Sequence, residues 1–174
     1  MNYADPGPLM LDYETLSLIE ILGADELLAF KEQMLNDPDS LLVRGTLHRA
    51  GRAGFYYWLE HSQDVLNWND AGFRFTPVRK KITAGLQQIC EVLANEKNTC
   101  ILFENKPQSW ELEISTPPSD YFSKPMLYPS YLAGFVQEFA SWAGLGKFYR
   151  VMETKSPLDN GNHCRIIILK EPIE

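Results

Sequence analysis

The chain has 174 residues, 45% of them hydrophobic and 22% charged, with a net charge of −7 and a pI near 5.0. That length holds one domain with a sizeable core. An acidic chain whose one short basic run is Arg79-Lys80-Lys81 has no face for gripping a phosphate backbone, which excludes nucleic acid as a partner class. No apolar run reaches the roughly 18 residues of a membrane helix. Met1-Asn2-Tyr3-Ala4-Asp5-Pro6 lacks the charged, apolar, then small-residue order of a signal peptide, so a cytoplasmic protein with no membrane span is expected. Cysteines 90, 100 and 164 read as reduced thiols rather than a disulfide framework.

Two short helices are predicted first, from Asp12 to about Leu22 and from Asp25 to about Leu35, with Gly23 as the stop between them. A turn at Asn36-Asp37-Pro38-Asp39 precedes a helix from about Leu42 to Glu60. There Leu47, Gly51, Gly54 and Trp58 recur at steps of 4, 3 and 4 and share one stripe. Two glycines inside a helix cost about 1 kcal/mol each, so something must pack close to the backbone. It is either a neighbouring helix or a ligand whose groove they floor. Thr76-Pro77 then reads as an N-cap followed by proline at the first helical position. The helix it opens buries Ile82, Leu86, Ile89 and Leu93.

The period changes after that. Cys100 to Glu104 and Trp110 to Ile114 read as a hairpin of strands, and Pro129 to Trp142 as a helix carrying Leu132, Phe135 and Phe139 on one side. Phe148 to Thr154 and Cys164 to Leu169 make a second strand pair around the turn at Pro157-Leu158-Asp159-Asn160-Gly161. The pattern is α+β, an antiparallel sheet of about four strands covered by helices.

The segment Leu127-Tyr128-Pro129-Ser130-Tyr131-Leu132-Ala133-Gly134-Phe135, with Glu153-Thr154-Lys155-Ser156 and Gly161-Asn162-His163-Cys164-Arg165 behind it, resembles the C-terminal half of the 4-vinyl-reductase domain. That family is of a hydrocarbon-binding type and shares the ligand-binding fold of nitric-oxide signalling and Golgi transport with the TRAPP subunits. The resemblance covers roughly residues 44 to 170, leaving 1 to 43 as N-terminal helices of a single domain, and it includes Phe103-Glu104-Asn105-Lys106-Pro107. It implies a zinc frame at Ser130, Glu153, Ser156 and Cys164. With serine in two of the four positions that frame cannot hold zinc tightly, because hydroxyls are poor substitutes for thiolates. No metal is therefore expected. The stretch where some TRAPP subunits carry an acyl-cysteine, His61 to Asn67 here, has no cysteine.

No nucleophile elbow, phosphate loop, dinucleotide fingerprint or His-Glu-x-x-His occurs, so no cofactor is assigned and an enzyme is not the favoured reading. The surplus is aromatic. Leu47, Gly51, Gly54, Phe55, Trp58, Ile82, Leu86, Ile89, Phe103, Trp110, Phe135 and Phe139 are the candidate lining of a cavity for a small hydrophobic ligand, whether hydrocarbon, aromatic or fatty acyl. The same residues suit a solid core. Arg44, Arg49 and Arg52 are candidates to anchor a carboxylate head group. The favoured function is a non-catalytic binding module or sensor that reports through an unknown partner protein. The alternatives are a part in tetrapyrrole vinyl reduction or a TRAPP-like dimeric scaffold. A homodimer is expected from the aromatic run Phe55 to Trp58.

Overall fold

The computed structural model describes residues 12–115, 128–155 and 163–174. Local signals place the elements. Helix α1 (Tyr13–Leu22) begins where the Asp12 carboxylate accepts the Thr15 amide at 2.7 Å, and it stops at Gly23, whose φ of +85° suits a residue without a side chain. A 3-10 turn (Ala24–Glu26) leads into α2 (Leu27–Asn36). The Ser40 hydroxyl then caps the 22-residue α3 (Leu41–Ser62). A single-turn helix, α4 (Ala71–Arg74), lies in the stretch the sequence left unassigned. Helix α5 (Val78–Lys97) starts one residue later than expected, with Pro77 at the cap and the Thr76 hydroxyl turned back to the Gly72 carbonyl.

Strands β1 (Cys100–Asn105) and β2 (Ser109–Ser115) form the first hairpin. Helix α6 (Pro129–Ala143) has proline in its first turn, where a missing amide costs nothing. Strands β3 (Phe148–Lys155) and β4 (His163–Ile173) close a wholly antiparallel four-stranded sheet in the order β1-β2-β4-β3. The register sets Leu112 opposite both Phe103 and Ile166, and Ile166 opposite Glu153; a shift between Tyr149 and Val151 bends β3.

Side-chain alternation buries Trp110, Leu112, Ile114, Ile166 and Ile168 on one sheet face. Helix α6 packs on β3 and β4, α5 on β1, α3 lies against α6, and α1 lies against α3. The core therefore has two storeys, sheet to α6 and α6 to α3. Within the described residues no helix is long and apolar enough to cross a membrane.

Candidate functional site

Helix α3 makes two different contacts along one face, because in the run Gly51-Arg52-Ala53-Gly54-Phe55-Tyr56-Tyr57-Trp58 the small Gly51 and Gly54 are followed, one turn on, by the large Phe55 and Trp58. In the first, a Cβ on Gly51 would collide with the backbone carbonyl of Tyr131, and one on Gly134 of α6 would collide with the carbonyl of His48. The two helices thus touch backbone to backbone through reciprocal glycines. The space above Gly54 holds the Tyr131 hydroxyl, which shares a 2.8 Å hydrogen bond with Ser17 of α1. So the glycine stripe faces α6 rather than α5, and what lies on it is protein.

Phe55 and Trp58 form the second contact. Phe55 meets Phe135 edge to face at 5.6 Å and Phe139 at 6.0 Å, while Trp58 lies 5.4 Å from Phe135 and 5.6 Å from Trp68. Trp68, only 1% exposed, is the centre of the group, with Phe73 stacked at 5.3 Å, Phe139 at 5.2 Å and Trp142 at 5.6 Å. Its indole donates to the Gln88 side-chain oxygen on α5 at 2.7 Å. Phe139 also fills the space beside Gly85 of α5. Rings therefore stand between α3 and α5.

One polar atom in this group is unsatisfied. The Trp58 indole N–H is buried and has no hydrogen-bond acceptor among the described residues. Leaving such a donor unpaired costs about 1–3 kcal/mol. An open groove of about 560 Å³ has a lining that includes Leu66, Asn67, Asp70, Phe73, Gln88 and Glu91, and two of these, Phe73 and Gln88, contact Trp68. Gln88 thus belongs to both places, holding Trp68 on one side and facing the groove on the other.

A polar seam runs along the edge of the α3–α6 contact. Glu138 accepts from Arg52 and from the Tyr56 hydroxyl, each at 2.8 Å, and the Tyr56 phenol is pushed up to about 12, first by burial and then by that carboxylate. The Ser130 hydroxyl donates to Glu153 at 3.1 Å, and Arg44 stands 3.8 Å from the same carboxylate. Two members of the degenerate frame, Ser130 and Glu153, are therefore together with a guanidinium beside them; Cys164 is buried opposite Lys155 in the sheet, and Ser156 lies outside the described residues. No group of His, Cys, Asp or Glu suited to a metal occurs among the described residues.

Of the remaining candidates, Leu47, Ile82, Leu86 and Ile89 are fully buried. Phe103 is partly buried at the edge of the sheet, and Trp110 lies against Tyr149, with its indole bonded to Thr83 at 2.8 Å. Phe55, Trp58, Phe135 and Phe139 are brought together; Phe103 and Trp110 make no ring contact with them among the described residues. The sequence reading missed Trp68 and Phe73, which fall between the periodic segments. The one signal that could have found them is a run of large aromatics, Trp68, Phe73 and Phe75, in a stretch with no helical or strand period.

No family model matches the sequence, and no curated protein matches it. Solved structures do match the fold. An Fe(II) unliganded H-NOX protein from K. algicida superposes with a TM-score of 0.55 at 9% identity, covering 94% of each chain. A mutant of the same protein gives 0.56 at 9% identity over 95% of this chain and 97% of that one. A Cs H-NOX mutant carrying 4-cyano-L-phenylalanine gives 0.53 at 12% identity over 92% and 95%. At these identities the likeness is one of fold. It corrects the family expectation: the matching architecture is that of H-NOX domains, not of the 4-vinyl-reductase or TRAPP group, and the short motifs around Ser130 and Cys164 were too brief to separate families that differ in their full-length packing.

An H-NOX structure of comparable likeness, TM-score 0.51 at 13% identity, is described by the distortion of its haem. Haem iron takes an axial imidazole, thiolate, thioether or phenolate. In this chain His48 sits on α3 beside Arg52 and Gln137, His61 is exposed at the end of α3, and His163 bonds Glu113 and Ser115 on the sheet. The Cys90 thiol on α5 is pushed up to about 12 by burial and stays protonated, and the Tyr131 phenol is raised by burial as well. The aromatic group holds no imidazole, and indoles fill its centre. These residues do not fit a haem.

Proposed function

We propose that this chain is a non-catalytic sensing module that binds a small apolar ligand carrying a hydrogen-bond acceptor and reports through a partner protein. The fold shared with H-NOX domains over nearly the whole of both chains supports a sensing role. The absence of a fitting haem donor set points to a ligand held without iron. The observation that carries the reading is the buried Trp58 indole N–H without an acceptor, set among Phe55, Phe135 and Trp68. A carbonyl or ether oxygen presented there would satisfy the donor while the ligand's apolar body replaces ring contacts. Access runs from the groove lined by Phe73 and Gln88, and movement of the Trp68 ring requires release of Gln88. Phe55, Trp58, Phe135 and Phe139 are kept as ligand contacts; Gly51 and Gly54 act as packing residues in this reading. The homodimer is part of the proposal too, although Phe55 and Trp58 lie in the core and Tyr56 is the exposed member of that run.

Acetophenone and ethylbenzene test this directly, since they match in shape and differ in the acceptor. Titration followed by tryptophan fluorescence is expected to show tighter binding of acetophenone by about 3- to 10-fold, the worth of one net hydrogen bond. Trp58→Phe is expected to erase that preference while leaving ethylbenzene affinity within about twofold. If neither compound binds at millimolar concentration, or the preference survives Trp58→Phe, the reading fails. Addition of hemin is expected to give no Soret band of a ligated haem.

A further inference from the structure

Charge is unevenly spread along the chain. Residues 12 to 40 contain eight carboxylates and one lysine, a net −7 equal to that of the whole protein. Of these, Glu14 is buried and ion-paired with Lys97. Glu20, Asp25, Glu26, Glu32, Asp37 and Asp39 are exposed. Among them stand large apolar side chains in water: Leu28 is 72% exposed and Leu35 57% on α2, and Leu41 is 85% and Leu42 62% exposed in the first turn of α3. Single exposed leucines are ordinary. Four within fifteen residues on consecutive helices form a patch.

Helix α2 is apolar on opposite sides. Phe30 and Met34 turn inward and are buried. Leu28 and Leu35 stand two helical turns apart, about 10.5 Å along the axis, on the side that nothing described covers. Lys31, Glu32, Gln33 and Asn36 separate the two apolar sides, so the outer one is a face of its own. The i, i+7 spacing matches the anchor spacing by which one amphipathic helix reads another, and the carboxylates around the leucines fix the sign of the charge it carries.

We infer that α2 and the first turn of α3 form a docking surface for a basic amphipathic helix of a partner protein, whose apolar side covers Leu28, Leu35, Leu41 and Leu42 while its lysines or arginines face Glu32, Asp37 and Asp39. This names the partner class for the sensing role proposed above and rests on that role for its purpose alone. The surface exists whether or not the ligand site does.

The probe is a fluorescent peptide of about 18 residues, long enough for a helix to form on contact, with leucines at i, i+3, i+4 and i+7 and lysines elsewhere. Its control carries glutamate in place of lysine. With the full chain and no small ligand, anisotropy is expected to show micromolar binding of the lysine peptide that weakens as salt rises, and none of the control. Leu28→Ser with Leu35→Ser is expected to weaken binding at least tenfold without lowering Tm, because both side chains already face water. Glu32→Lys with Asp37→Lys is expected to weaken the lysine peptide and admit the control. Hydrogen exchange is expected to slow at residues 25 to 45 on binding. Equal affinity of the double leucine variant and the parent would mean charge attraction alone, and protection elsewhere would place the peptide off this face; either overturns the inference. A parent dimer that the double leucine variant turns into a monomer would assign the face to a second copy and overturn it as well. If acetophenone binding fails while the peptide behaves as stated, the sensing reading fails by itself.

Discussion

Two successive turns of α3 solve the same packing problem by opposite means. Toward α6 the helix gives up side chains: Gly51 and Gly134 let backbone meet backbone, and Gly54 makes room for the Tyr131 hydroxyl. One turn further along the same face it fills space with the largest side chains available, Phe55 and Trp58, which meet Phe135, Phe139 and Trp142 of α6, and Trp58 also meets Trp68. The Gly51–Gly134 part of that contact is rigid because backbone lies on backbone there. The aromatic contact includes the Trp58 indole N–H, which has no acceptor among the described residues, and Phe73 of the same group lines a groove. Backbone contact and ring packing thus follow one another along a single face of one helix.

The largest expected effect breaks the aromatic contact. Trp68→Ala removes the ring at the centre of the group and orphans Gln88, and it is expected to cost about 3–5 kcal/mol, read as a shift of the urea midpoint. Phe139→Ala should fall in the same range. If Trp68→Ala costs under about 1 kcal/mol, the rings do not act as one packed body.

The glycine contact is next. Alanine improves helix propensity by about 1 kcal/mol, yet Gly51→Ala would push a methyl into the Tyr131 carbonyl, which a backbone cannot move aside. A net loss of about 1–3 kcal/mol is expected. Gly54→Ala meets the end of a side chain instead, and turning Tyr131 away forfeits its bond to Ser17, so a smaller loss of about 1 kcal/mol is expected. The order of the two, measured by thermal unfolding, sharpens the contrast; a gain at Gly51 would remove it.

The smallest effect concerns pH. Burial raises the Cys90 thiol from 9.0 to about 12, so above pH 9 the unfolded chain loses that proton first. The stability it contributes is complete below about pH 9 and drains away as pH rises toward 12. Tyr131, in the glycine contact, is raised by burial too and acts in the same direction. Cys90→Ala should therefore flatten, without abolishing, the fall of Tm between pH 9 and 11. An unchanged slope would show that the thiol does not contribute to it.

Much of the fold could be read from the chain because its signals are local. Asp12 and Gly23 bound α1, the 4-3-4 recurrence of Ile82, Leu86, Ile89 and Leu93 marks α5, and the alternation from Trp110 to Ile114 marks β2. The candidate site could be read only in part. Phe55, Trp58, Phe135 and Phe139 stood out as apolar positions on periodic helices. Trp68 and Phe73 did not, because they sit in loop and single-turn segments where no period exists to point them inward.

The sequence by itself determined the order of helices and strands, the antiparallel pairing imposed by short turns, and the need for something to press against Gly51 and Gly54. The tertiary structure decided what that something is. A glycine stripe has the same local energetics whether a helix or a ligand lies on it, so only the position of α6 in space assigns it to Tyr131. The same holds for the family: helix caps and strand alternation are shared by many α+β proteins, whereas the H-NOX likeness resides in how distant elements stack. Those long-range contacts, made between residues such as Trp58, Trp68 and Gln88, also determine which donor is satisfied and which is left unpaired.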